Sequence, residues 1–453
     1  MADKLLIRAY SVRCGDCIYV RIPDARIKDG NVDDFHILID CGTKAAGDDF
    51  LKPALDLLKP ELPLEDGKHR LDLVVVSHGH DDHMKGFDPD WFEDVAIENL
   101  WLSAAMNPEH PQAELAHAFH DLADRAMVNV AARGVALSPA LQDIVDRYGI
   151  NPKGAIKALT ETLPQQNGID PVYLHTESTA ADLELDTLQG DVAFHVLGPD
   201  INIDFYYGGD ELAADFQTFS KAAAGVIGAP QSPSARPENI SALDFLRLQS
   251  RMMSNAFAYS EENDRLINNT SIMLLMEWRG RRLLFVGDAE WDDPFEEGTK
   301  ANGAWNVAWN KQRAKLDGRL DFLKVGHHGS TNSTPWNEDE DGTQTESSTI
   351  LNAILPLPAG NMPASGPKAV VSTARTPYKP IPSSALMVEL GKRVANTETY
   401  GPLLTPSQIA GLPNYAGHEK ALLGQPQPQR TDMEALVTGT PYVDIEIKPV
   451  AGH

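Results

Sequence analysis

Short apolar runs punctuated by glycine, proline and aspartate dominate the hydrophobic pattern of the chain. Leu73 to Val76 carries no polar residue, the pattern of a strand covered on both faces. Leu5 to Val12 and Ile18 to Ile22 read as strands around a tight turn at Cys14-Gly15-Asp16, and Phe35 to Ile39 as a third. Ile97 to Leu102, Val192 to Leu197, Phe322 to Val325, Lys368 to Ser372 and Tyr442 to Ile447 have the same character. Ser271 to Trp278 and Arg281 to Val286 read as a hairpin through the two-residue turn Arg279-Gly280. The period turns helical over Phe50 to Leu58, with Asp49 as N-cap and Pro53 near the first turn, and over Ser383 to Val394, with Ser383 or Ser384 as N-cap. Residues 111 to 163 are also helical in pattern, with alanine-rich stretches such as Ala113 to Ala132. So are residues 201 to 265, around a proline-rich break from Ala229 to Pro237. The class is α/β. One domain is expected over residues 1–398, with helical insertions at about 105–180 and 201–265. A Pro- and Gly-rich extension, 399–453, ends in a strand.

Polar clusters recur just past the carboxyl ends of the apolar runs. Asp40 follows Ile37-Leu38-Ile39, and His78-Gly79-His80-Asp81-Asp82-His83 follows Leu73 to Val76. Asp288 follows Leu284 to Gly287, and His327-His328 follows Leu323 to Gly326. Groups at strand ends gather along one sheet edge in layered α/β proteins, where ligands bind. Imidazole and carboxylate are the usual nitrogen and oxygen ligands of zinc and similar ions. His78 and His80 can reach one ion while Asp82 and His83 reach a second. Asp288 can bridge the two, and His327 or His328 can supply the last ligand. Two ions so placed would clamp both oxygens of a displacement. His195, on a strand, reads as a packed or edge residue.

Composition changes the picture in two respects. The net charge is −26, from 39 basic and 65 acidic side chains, with no lysine or arginine cluster. A long polyanion would be repelled unless a local basic pocket, a bound metal or a partner overrides that field. The three cysteines, Cys14, Cys17 and Cys41, cannot make a disulfide framework. They fit a reduced, cytoplasmic setting, and Cys14-x-x-Cys17 reads as two small buried side chains at a turn. No run approaches the length of a membrane span, and residues Met1 to Leu6 do not open a secretion signal.

The order Ile39-Asp40-Cys41-Gly42, His78-x-His80-x-Asp82-His83, Gly287-Asp288 and His327 resembles the metallo-β-lactamase superfamily. More narrowly it is similar to the ComEC-type branch, related to the competence DNA-uptake protein. That match rests on Gly15-Asp16 within Val12 to Tyr19, Asn268-Asn269-Thr270-Ser271, His327-His328-Gly329-Ser330 and Val371-Ser372. It covers about residues 5 to 395 outside the insertion. The resemblance implies an αβ/βα four-layer sandwich and hydrolysis by a hydroxide held on two divalent ions, zinc or manganese. Carried over, His78 and His80 hold the first ion, Asp82, His83 and His327 hold the second with His328 as the alternative, and Asp288 bridges. Asp40 would orient a ligand imidazole. Two departures stand out. Asn268-Asn269 occupies the place of a further histidine ligand, so the first ion is held more weakly and manganese comes into play beside zinc. Lys379-Pro380 stands where relatives show His-Pro. Lys379 and Arg375, with Ser330, then become candidates for holding the substrate anion, and Lys379 for transition-state charge.

The expected function is therefore metal-dependent hydrolysis of a phosphodiester, as a phosphodiesterase or nuclease in which Asp82, Asp40 and Lys379 serve the chemistry. The charge favours a small phosphodiester, nucleic-acid ends, or a protein partner that supplies the nucleic-acid grip. The alternatives are a regulatory or assembly component with a structural or weakly active metal site, and a carboxylic ester or lactone hydrolase. The fold hosts all of these.

Overall fold

The computed structural model describes residues 4–45, 47–118, 152–183, 185–207, 266–292, 303–337, 347–375, 381–412 and 417–452. Much of the expected helical insertions, the break from Ala229 to Pro237, and Lys379 lie outside them.

The expected α/β class holds: two seven-stranded mixed sheets carry the fold, with a three-stranded sheet beside them. In the first, the order is Tyr442–Ile447, Leu5–Tyr10, Cys17–Lys28, Asn31–Cys41, Leu73–Val76, Leu100–Ser103 and Val172–Leu174. From Asn31–Cys41 onward its strands run parallel. In the second, the order is Val192–Gly198, Met273–Trp278, Arg281–Phe285, Phe322–Val325, Lys368–Val371, Gln427–Arg430 and Thr397–Glu398. Arg281–Phe285 through Gln427–Arg430 are parallel. The carboxyl ends of the parallel strands in each sheet therefore share one edge, which positions the strand-end clusters.

Alternation along the strands explains why the apolar runs have no polar face. Leu73 and Val75 of the first sheet, with Ile7, Val20 and Ile37, share one buried cluster with Leu274, Met276, Leu283 and Phe285 of the second. Their neighbours point the other way. Val74 and Val76 pack with Leu51, Leu55 and Leu159, from helix Gly47–Leu58 and the helical run 152–167. Leu284, Leu323 and Val371 pack with Trp305, Leu351 and Leu386, from helices Ala304–Leu316, Ser348–Ile354 and Ser384–Arg393. Each such side chain stabilises the fold by about 1.5–3 kcal/mol.

Two elements differ from expectation. Ile97 to Leu102 is not one strand: Val95–Ile97 belongs to the small sheet and Leu100–Ser103 to the first. Asn99 makes the step, its side-chain amide donating 2.8 Å to the Asp72 carbonyl and its own carbonyl accepting from Val74 N at 2.9 Å. The first helix starts at Gly47, which puts Asp48 and Asp49 in its first turn and Pro53 inside it. Ser383 does cap the later helix, its Oγ accepting from Leu386 N.

Residues beyond 398 contribute Gln427–Arg430 to the second sheet and Tyr442–Ile447 to the edge of the first. Val172–Leu174, from the first expected insertion, is likewise a strand of the first sheet. Among the described residues no helix is long and apolar enough to cross a membrane.

Candidate metal centre

The Gly15-Asp16 turn, the Asp40-Cys41-Gly42 loop and the backbone at 82–83 stack without room for a side chain. A Cβ on Gly15 would lie 2.1 Å from the Gly42 carbonyl oxygen, and one on Gly42 would lie 2.1 Å from the Asp82 carbonyl carbon. Backbone hydrogen bonds from Asp16 N to Asp82 O at 2.9 Å and from Gly42 N to Asp16 O at 2.8 Å lock that stack. Three strand ends are thereby held in fixed register around the histidine cluster.

The second sheet delivers its groups through strained backbone. His327 and His328 have φ of 38° and 54°, and Asp40 opposite them has 56°. Left-handed conformations at non-glycine residues cost on the order of 1–3 kcal/mol each and persist where surrounding structure over-determines them. Here they decide direction. His328 turns inward, with Nε2 3.0 Å from Asp82 Oδ2 and Nδ1 3.0 Å from the Ser372 carbonyl. His327 turns aside, its Nδ1 2.9 Å from Glu290 Oε1. The histidine facing Asp82 is thus His328, the alternative to His327, with the left-handed backbone at both residues sending the His328 ring to Asp82 and the His327 ring to Glu290.

Ligating atoms of Asp82, His83, Asp288 and His328 all lie within 4.8 Å of one another, and all four residues are buried. His83 is wedged between two carboxylates, with Nδ1 2.8 Å from Asp40 Oδ2 and Nε2 3.2 Å from Asp288 Oδ2. Asp40 also accepts from Ser77 N and Ser77 Oγ, both at 2.7 Å, which fixes its carboxylate against His83. His78 Nδ1 meets the hydroxyls of Ser77 at 3.0 Å and Ser271 at 3.2 Å, while its Nε2 faces His80 Nδ1 at 3.0 Å. Among the described residues, His78 and His80 belong to no group of three or more such ligands at that spacing.

The charges are strongly coupled. Burial would raise the Asp82 carboxyl, but Lys44, the His328 hydrogen bond and His83 outweigh it and hold it well below the usual range. Asp288 is depressed in the same way, burial being overcome chiefly by His83. Burial opposes the His83 imidazolium, yet Asp288 and Asp40 raise it well above the ordinary value. Burial and the neighbouring His83 and His80 push His78 well below. Burial also holds Asp40 up, against the pull of His83.

The donor set fits a divalent cation. Nδ1 of both His83 and His328 faces an acceptor and Nε2 of each faces a carboxylate oxygen, an arrangement that a proton or a cation between Nε2 and the carboxylate would satisfy. Asp82 Oδ1 is buried with no hydrogen-bond partner among the described residues. A metal ligated by imidazole and carboxylate satisfies such groups.

The remaining expected residues have other partners. Asn268 donates 2.8 Å to Glu290 Oε1, and Asn269 Oδ1 accepts from Glu290 N at 3.2 Å and Ala304 N at 2.9 Å. Arg375 Nε lies 3.4 Å from Asp432 Oδ2, and Ser330 Oγ donates 2.9 Å to Asn332 Oδ1. His195 packs near Glu277, 3.5 Å away, and the three cysteines are free and buried. Sequence reasoning gave no role to Ser77, Ser271, Glu290 or Lys44. Ser271 closes the quoted Asn268-Asn269-Thr270-Ser271 motif and Ser77 directly precedes the His78 segment, so both had a legible signal; Glu290 and Lys44, two residues past Asp288 and Gly42, had only their closeness to strand ends.

Comparison with protein-family models and with curated proteins finds no match to this chain.

Proposed function

We propose that the chain is a metal-dependent phosphodiester hydrolase of the metallo-β-lactamase type, ComEC-like in its motifs, whose two facing sheets and outer helices form the αβ/βα sandwich of that family. The observation that carries this reading is the buried group of Asp82, His83, Asp288 and His328, drawn from both sheets to one edge. Asp82, His83 and His328 would hold one ion with Asp288 shared toward a second, held by His78 and His80. Zinc or manganese bound there would supply an acidified water and neutralise charge on a phosphoryl group. The protein's own contributions are orientational. Asp40 and the Ser372 carbonyl fix the tautomers of His83 and His328, and Ser77 with Ser271 fix the His78 ring. The substrate class follows from the motif resemblance. The net charge of −26 favours a small diester or nucleic-acid ends, or a protein partner that grips the polymer.

Purified chain loaded with zinc or manganese should turn over bis(p-nitrophenyl) phosphate and linear or single-stranded DNA, and His328→Ala and Asp82→Ala should abolish turnover. Loaded protein without activity on any phosphodiester sinks the reading. Turnover confined to p-nitrophenyl acetate would move it to carboxylic esters or lactones. A regulatory component with a structural metal draws on one observation, that His78 and His80 complete no larger group among the described residues. Full metal loading with no ester turnover would favour it.

A further inference from the structure

We propose that His110 and His175 form an uncharged recognition subsite, a pair of Nε2–H donors for oxygen acceptors on the organic group of the substrate; this deepens the phosphodiester reading and rests on it. Strand register puts them on the same edge as the candidate metal centre. Val76, Leu102 and Tyr173 lie side by side on three parallel strands of the first sheet. His78 is two residues past Val76 and His175 two residues past Tyr173. Their backbones therefore leave the sheet at one level, two strand spacings or about 10 Å apart. His110 comes from the loop past Leu100–Ser103, the strand between them. It is buried and His175 is half-buried. A charge on His175 would oppose one on His110, so the two rings are electrostatic neighbours.

Backbone N–H groups fix the tautomers. Gln112 N donates 3.1 Å to His110 Nδ1, and Glu177 N donates 3.2 Å to His175 Nδ1. With Nδ1 an acceptor, the neutral ring carries its proton on Nε2. Neither Nε2 has a hydrogen-bond partner among the described residues. A metal ion would need the lone pair of that nitrogen, so the pair suits an acceptor rather than a cation. Burial holds both rings below the ordinary imidazole value, which keeps them uncharged. Glu177, Asp182 and Asp200 lie within electrostatic reach of His175, and Asp204 of His110. Such carboxylates repel an anion, and neutral donors among them fit a carbonyl or hydroxyl oxygen. The turns themselves do not call for histidine, since Asn107, Asp88 and Asp200 make the same side-chain turn to the N–H two residues on. Histidine keeps that acceptor and adds a donor on the far side of the ring. Both loops are anchored. Thr176 N donates 2.8 Å to the Pro199 carbonyl, just past Val192–Gly198 of the second sheet, and Gln312 Nε2 donates 3.0 Å to the Thr176 carbonyl. Asp204 N donates 2.9 Å to the Gln112 carbonyl.

Calorimetry on the metal-loaded chain compares thymidine 5′-monophosphate, ribose 5-phosphate and inorganic phosphate as probes. The proteins are wild type, His110→Asn, His175→Asn, His110→Gln and His175→Gln. Asparagine keeps an acceptor in the place of Nδ1 and lacks the far donor, so the turn survives, while the longer glutamine amide restores a donor near Nε2. Wild type should bind an organic phosphate more tightly than inorganic phosphate. Thymidine monophosphate alone should gain if base carbonyls are the acceptors, and ribose 5-phosphate as well if sugar hydroxyls are. Each Asn variant should lower that preference about three- to tenfold, the loss of one neutral hydrogen bond, and each Gln variant should restore it. On the p-nitrophenyl ester of thymidine 5′-monophosphate, the Asn variants should raise KM more than they lower kcat. A wild type that favours neither organic phosphate overturns the proposal, as does one preference shared by wild type and both Asn variants. Equal losses in the Asn and Gln variants overturn the donor assignment. If the preference behaves as expected yet no diester is cleaved, the hydrolase reading fails while the subsite stands. If bis(p-nitrophenyl) phosphate is cleaved and the preference is absent, the subsite fails while the hydrolase reading stands.

Discussion

Lys324 Nζ lies 2.5 Å from Asp16 Oδ2, across 308 residues of chain, and both side chains are only 2% exposed. Lys324 belongs to Phe322–Val325 of the second sheet and Asp16 to the turn before Cys17–Lys28 of the first. The same Asp16 oxygen is 3.9 Å from His83 Nδ1, so the pair ties the sheets together directly beside the candidate metal centre. Removing one partner leaves an uncompensated buried charge. Lys324→Met should cost about 3–5 kcal/mol, and adding Asp16→Leu should recover part of it. Urea melts of the four proteins of the double-mutant cycle check this, and additive losses would contradict a direct coupling.

His328 and His327 should separate cleanly in metal binding. His328→Ala is expected to lose zinc or manganese at stoichiometric loading, because His328 belongs to the four-residue group, whereas His327→Ala should retain it. Elemental analysis after desalting reads the difference, and equal metal content in the two variants would contradict the assignment. In wild type, zinc at about a hundred times its dissociation constant should stabilise the fold by about 2.7 kcal/mol, an increment that chelation removes.

Gly42→Ala tests the stacked loops. Its Cβ would stand 2.1 Å from backbone at Asp82, and no flexible side chain can yield there. Overpacking of this kind costs about 1–3 kcal/mol or more, and it should displace Asp82 and lower metal affinity as well. Thermal unfolding and metal titration measure the two effects. A wild-type melt would mean that the loops are not packed as described.

His36 sets part of the acid limit. It is 4% exposed, bonded through Nδ1 to Tyr19 Oη at 2.8 Å, and burial, aided by Arg70, pushes its pKa down to about 3. The unfolded chain, with an ordinary value near 6.5, takes up a proton that the folded chain refuses. The stability present above about pH 6.5 is therefore lost as pH falls toward 3, by about 2–3 kcal/mol between pH 7 and pH 4.5. His36→Phe should flatten the stability–pH curve in that window. An unchanged slope in urea melts at the two pH values would remove His36 from the account.

Local pattern determined a good deal. Leu73 to Val76 was readable as a strand because an unbroken apolar run can be buried only where both faces are covered, and the clusters past its carboxyl end and that of Phe322 to Val325 followed from chain order alone. Asp40 beside the histidine segment was likewise legible from its place after Ile39. Tertiary structure decided the rest. Whether His327 or His328 faces Asp82 depends on two left-handed φ angles, stabilised by contacts with Gly287, Asp288 and Ser372 far from the pair in sequence. The Asp16–Lys324 bridge and the approach of Lys44 to Asp82 join separated segments, and no periodicity records which charges will meet. A sequence specifies each strand through its own side chains, but pairs of buried charges are chosen by how two whole sheets come to rest against each other.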